Sequence, residues 1–99
     1  MNPVVYHEEF GHLGNPPLLC LHGLLGSSRN WRGVAKSLVG KYRIFTLDLR
    51  NHGQSFHSHD AAVDSMVDDI LRWMDHQEIH RSHLCGNSLG GKVVMKLAC

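Results

Sequence analysis

No run in this 99-residue chain approaches the roughly 18–20 consecutive apolar residues that a membrane-crossing helix needs. The opening "MNPVVYHEEFGH" lacks a basic segment ahead of an apolar core, and it is neither arginine-rich nor free of acids. No secretory or transit segment is visible, so the sequence predicts no transmembrane segment and a cytoplasmic, intracellular protein, mitochondrial only if a longer amino terminus exists. A surplus of charge is missing too. Ten Lys and Arg stand interspersed with nine Asp and Glu, for a formal net charge of +1. That balance excludes the basic footprint of a nucleic-acid partner or an anionic membrane surface and favours small neutral or amphipathic partners. Cysteine is scarce and odd in number: Cys20, Cys85 and Cys99 are unpaired in sequence and lie in apolar contexts, which reads as reduced thiols rather than a disulfide framework or a metal site. The length allows one small domain and no second one.

What is present is a repeated alternation. "PLLCL" at 17–21 is a short continuous apolar run, the pattern of a strand buried on both faces. After "HGLLGSS", residues Trp31, Val34, Ala35 and Leu38 recur on one helix face, with Ser28 as the expected cap and Gly40 as the expected close. "RIFTLDL" at 43–49 reads as the next strand, and "RNHGQSFHSHD" as a polar loop. A helix over about 61–76 follows, with Val63, Val67, Ile70 and Met74 as its stripe and Met66 and Leu71 beside them. A strand over about 82–85 then leads into a helix where Leu89, Val93 and Leu97 recur every four residues. One or two weaker strands precede all of this, within 4–10. Strand and helix alternating three times predict an α/β fold with a mainly parallel sheet and flanking helices. In such sheets the ligand site lies beyond the carboxyl ends of the strands, which singles out "HGLLGS", "DLRNHGQS" and "GNSLGG".

Gly86-Asn87-Ser88-Leu89-Gly90 fits a nucleophile elbow, a serine on a strained turn between strand and helix. The two glycines answer a steric need, because side chains two positions from the serine would collide across so tight a turn. The helix that follows directs its opening amides at a developing oxyanion. The competing structural reading is a glycine-rich βα turn in which Ser88 only caps a helix. A nucleotide cradle fits less well, since "GNSLGGK" has neither the Walker spacing nor Gly-x-Gly-x-x-Gly. His57, His59 and Asp60 in "FHSHD" have the types of metal ligands, but they read as a solvated loop with Asp60 near a helix start, so no metal is expected. Asp48, with Arg50 and Ser55, is expected to fix its turn through side-chain to backbone hydrogen bonds. His22, His52, His76, His80 and His83 read as loop, turn or surface residues.

"LHGLLGSSRNW", "DLRNHGQS" and "GNSLGGKVVMKLA" occur in the order and spacing of α/β-hydrolase fold enzymes, and "RNHG" with "GGK" most resembles the group of abhydrolase domain-containing protein 11 and related bacterial esterases. The resemblance runs from about Pro17 to the end. It implies Ser88 as nucleophile, the backbone amides of Leu24 and Leu89 as the oxyanion hole, His22 and Gly23 as the shapers of the loop that presents Leu24, no cofactor, and a small-molecule ester or thioester as substrate. Asn87 departs from the family's usual histidine and leaves the nucleophile in place. The family's acid and histidine follow the serine in the chain. The eleven residues after Ser88 contain neither, and "VVMKLAC" halts on an apolar stripe. The expectation is therefore a partial domain over 1–99, truncated after the elbow helix, from a hydrolase of roughly 250 residues. By itself it would be inactive. The other class left open is a noncatalytic ligand-binding or interaction protein with a hydrolase-like fold.

Overall fold

In the computed structural model, residues 3–23 and 26–98 are described. β1 (His7–Phe10) and β2 (Pro17–Leu21) precede a 3₁₀ turn (Ser28–Trp31) that runs into α1 (Arg32–Leu38). β3 (Arg43–Leu47), α2 (Val63–His76), β4 (His83–Gly86) and α3 (Leu89–Ala98) complete the order. The sheet runs β1-β3-β2-β4. β2 is parallel to both neighbours, with Leu19 opposite Phe45 on one side and Leu84 on the other, while β1 is antiparallel to β3. The sheet is mainly parallel, as the alternation predicts.

The apolar run at 17–21 is continuous because both faces of β2 are covered. Leu19 and Leu21 point with Phe45 and Leu47 into a core closed by Ile70 and Trp73 of α2 and Val93 of α3. Cys20 and Ile44 point the other way and pack on Ala35 of α1. Each such Leu or Phe, fully withdrawn from water, contributes roughly 1.5–3 kcal/mol, so alternate residues of one strand hold helices on opposite sides of the sheet. The antiparallel β1 is fastened to the same core through His7, whose Nδ1 accepts the indole N–H of Trp73 at 3.1 Å.

Several boundaries differ from the sequence reading. The cap of the first helical segment is Ser27, whose hydroxyl accepts from the Arg29 amide while its own N–H donates to Asn30 Oδ1. Ser28 is buried instead, with its N–H turned to Asp48. Gly40 directly follows the C-cap Val39, as expected, but without the left-handed backbone of a glycine cap, and the Leu38 carbonyl accepts the amides of both Lys41 and Tyr42. α2 starts at Val63, and its buried face is Met66, Asp69, Ile70 and Trp73, which turns Leu71 out to 47% exposure.

β2 is flanked by the strand that follows it and by the last strand, so the chain reverses its winding direction there. That reversal opens a crevice beyond the carboxyl ends of β2 and β4, where ligands of open α/β sheets bind.

Candidate active site

Ser88 stands at that crevice with φ 54°, a left-handed conformation that costs a non-glycine residue roughly 1–2 kcal/mol. The turn is held on both sides. The Asn87 amide donates to the Leu21 carbonyl at 3.1 Å, the Gly90 amide returns to the Asn87 carbonyl at 3.0 Å, and the Lys92 amide takes the Ser88 carbonyl at 3.1 Å. A Cβ on Gly86 would lie 2.5 Å from the carbonyl carbon of Gly90, and one on Gly90 would lie 2.6 Å from the carbonyl oxygen of His22. Both clashes are with backbone, so the turn closes only with glycine at these two places. Ser88 itself is exposed, and Leu89 opens α3, where a helix's first N–H groups have no partner within the helix.

Facing the turn is the segment that leaves β2. A Cβ on Gly23 would stand 3.4 Å from the Ser88 Cβ, so this glycine is the near neighbour of the serine. The Gly23 carbonyl is held twice, by Nδ1 of His22 at 2.7 Å and by the Gly26 amide at 3.0 Å. His22 is not a surface residue: it is 1% exposed. Its Nε2 accepts the Leu49 amide at 3.0 Å, which puts the ring proton on Nδ1 and makes the bond to Gly23 a donation. Burial lowers its pKa, against a smaller upward pull from the Gly23 bond. Leu24, assigned with Leu89 to the oxyanion hole, lies outside the described residues. A cleft of about 480 Å³ runs alongside, lined by His22, Gly23, Asn30, Trp31, Val34 and Asn87.

The loop after β3 forms the other border. Asp48 and Ser55 do fix it: the Ser55 hydroxyl donates to the Asp48 carbonyl and accepts the Tyr6 amide, and the Gln54 amide donates to the Asp48 carboxylate at 2.9 Å. Arg50 makes a side-chain to backbone bond too, but its main partner is an acid beyond the loop. It reaches α2 and grips Asp69 with two bonds, at 2.6 and 2.8 Å, while Nη1 donates to the Asp60 carbonyl. Nothing in the sequence reading anticipated Asp69, although an acid three residues after Met66 and four before Trp73 interrupts the buried side of α2 and signals a buried cation partner. The His52 ring lies 4.9 Å from that of His22. His57 and His59 are exposed, and Asp60 takes the Ala62 amide at 3.0 Å just before α2. Among the described residues no three His, Cys, Asp or Glu side chains converge as metal ligands.

Cys20 and Cys85 are free thiols directly opposite each other on β2 and β4. Burial, with the neighbouring Cys85 adding to it, pushes the Cys20 pKa up to about 12 and keeps that thiol protonated. Cys99 lies outside the described residues.

A family model described as alpha/beta hydrolase fold matches residues 16–99. The chain is 43% identical over 97 residues to the sn-1-specific diacylglycerol lipase ABHD11 of Danio rerio, covering 96% of this chain and 31% of that protein. It is 35% identical over 92 residues to a putative esterase/lipase of Haemophilus influenzae, covering 93% and 32%. Among solved structures, a marine microorganism esterase superimposes with a TM-score of 0.94 at 32% identity, covering 98% of this chain and 37% of that one. The chain thus spans about a third of the length of the relatives it matches. No helix among the described residues is long and apolar enough to cross a membrane.

Proposed function

The chain belongs to the alpha/beta hydrolase fold family, and on that premise we propose that it is the nucleophile-bearing portion of a serine hydrolase that cleaves carboxylic esters or thioesters. The observation that carries this is the left-handed Ser88 between two glycines that tolerate no side chain, at the winding reversal and beside a cleft. Relatives named as an esterase/lipase and as a diacylglycerol lipase support an ester as the small-molecule substrate.

In the proposed reaction the Ser88 oxygen attacks the substrate carbonyl carbon and the carbonyl π pair moves onto oxygen. The amides of Leu89 and Leu24 stabilise that oxyanion, an interaction worth roughly 2.7–4 kcal/mol per donor. His22 and Gly23 shape the loop that carries Leu24. Collapse of the intermediate expels the alcohol or thiol and leaves an acyl group on Ser88, which water then removes. No cofactor enters these steps. The base that takes the serine proton is not His22, because both of its ring nitrogens are engaged with backbone groups. We assign the base and its acidic partner to the part of the relatives' length that this chain does not span, and 1–99 to the first part of one hydrolase domain. Losing such a base costs a serine protease on the order of 10⁶ in turnover, so residues 1–99 alone are proposed to be inactive.

The test is a fluorophosphonate probe on the complete protein. Labelling should fall on Ser88, and Ser88→Ala should abolish both labelling and ester hydrolysis. An unlabelled Ser88 in a folded, complete protein would instead favour a noncatalytic ligand-binding or interaction protein on the same fold.

A further inference from the structure

Asp48 closes the end of β3 with a carboxylate that is 2% exposed, and among the described residues no salt bridge gives it a cation. Two backbone amides from two different loops hold it instead. Oδ1 accepts the Ser28 N–H at 2.5 Å, from the segment that follows β2, and Oδ2 accepts the Gln54 N–H at 2.9 Å, from the loop after β3. Gly53, at φ 49°, lies so close that a Cβ there would stand 2.9 Å from Oδ1. Ser28 opens the 3₁₀ turn whose last residues, Asn30 and Trp31, line the cleft together with Gly23, the neighbour of Ser88.

We infer that Asp48 is a positioning residue for hydrolysis: its carboxylate ties the cleft-lining segment after β2 to the loop after β3 and so sets how that segment faces Ser88. The inference rests on Ser88 being the nucleophile. A carboxylate suits this task because it only accepts, and an ionised acceptor makes bonds about twice as strong as a neutral one. Asparagine has almost the same shape but turns one oxygen into an NH₂. That group would face a backbone N–H, so one of the two loops would lose its anchor and be pushed away. A displacement of about 1 Å in catalytic geometry costs up to about 100-fold in rate.

The experiment uses the complete protein with a p-nitrophenyl ester, and the burst of nitrophenol counts competent sites. For Asp48→Asn, kcat per burst site should fall roughly 10- to 100-fold while KM changes less. Asp48→Glu keeps an acceptor-only group and should retain more of the rate; it also serves if the asparagine variant does not fold, with a fall of at least about fivefold expected. A lower melting temperature with kcat per site unchanged in either folded variant would overturn the inference. Activity surviving in Ser88→Ala would instead remove the nucleophile assignment, while a dead Ser88→Ala beside a fully active Asp48→Asn would remove only the role of Asp48.

Discussion

Leu49 donates its backbone N–H to Nε2 of His22 at 3.0 Å, so a buried histidine between two site-forming loops is neutral by geometry as well as by burial. His7 is in the same position, since its Nδ1 accepts the Trp73 indole N–H and burial lowers its pKa. Both rings titrate near 6.5 once unfolded. Below that pH the unfolded chain binds protons that the folded one resists, so stability is full above about pH 6.5 and falls as the pH drops. Urea midpoints should hold from pH 7.5 to about 6.5 and fall from there to pH 5.5, ahead of carboxylate titration. A flat profile across that window would contradict the neutral assignment of both rings.

The adjacent glycines 90 and 91 should respond oppositely to alanine. A Cβ on Gly90 meets the backbone of His22 at 2.6 Å and that of Leu21 nearer still, and both of those residues are buried. A Cβ on Gly91 has only an ordinary contact, 3.6 Å from the Gly86 carbonyl, and lies within α3. Gly90→Ala should therefore cost about 3 kcal/mol, and Gly91→Ala should gain roughly 0.5–1 kcal/mol from helix propensity. Equilibrium unfolding of the two variants checks the contrast. Equal effects would mean that the elbow does not depend on the close approach of β2.

These glycines also show why parts of the molecule were legible in advance. A Gly-x-Ser-x-Gly turn announces its steric need in residue types, and "PLLCL" announces a doubly covered strand because both faces must be apolar. The cap at Ser27 was not readable in the same way, since Ser27 and Ser28 are chemically equal and only the tertiary pull of Asp48 on the Ser28 amide decides between them. Burial of His22 likewise depends on Leu49, 27 residues away, and no local pattern encodes that meeting. Asp69 left a readable trace as an acid on the buried side of α2, but its partner Arg50 sits in a polar loop that looked self-contained.

The Arg50–Asp69 pair carries its own prediction. Asp69 is 1% exposed at the side chain and Arg50 11%, whereas the Arg32–Glu8 pair has its arginine 43% exposed. Removing one partner of a buried pair leaves an uncompensated charge and typically costs about 3 kcal/mol or more, while water replaces a lost partner at the surface. Asp69→Asn should thus lower the urea midpoint far more than Glu8→Gln. A shift of the same size in both variants would show that the Arg50 guanidinium finds solvent when Asp69 is gone.

Ser88 itself should trade stability for placement. At φ 54° a serine is strained and a glycine is not, yet the turn keeps that conformation because Gly86, Gly90 and the Leu21 carbonyl leave it no alternative. Ser88→Gly should therefore be more stable than Ser88→Ala by about 1 kcal/mol, since alanine removes the hydroxyl but retains the Cβ that the left-handed region penalises. With Ser88 as the proposed nucleophile, both variants should also be inactive in ester hydrolysis by the complete protein, so activity and stability would move independently at this one residue. Thermal melts of the two variants decide it. If alanine proves as stable as glycine, the turn holds no strain at Ser88 and its conformation costs the fold nothing.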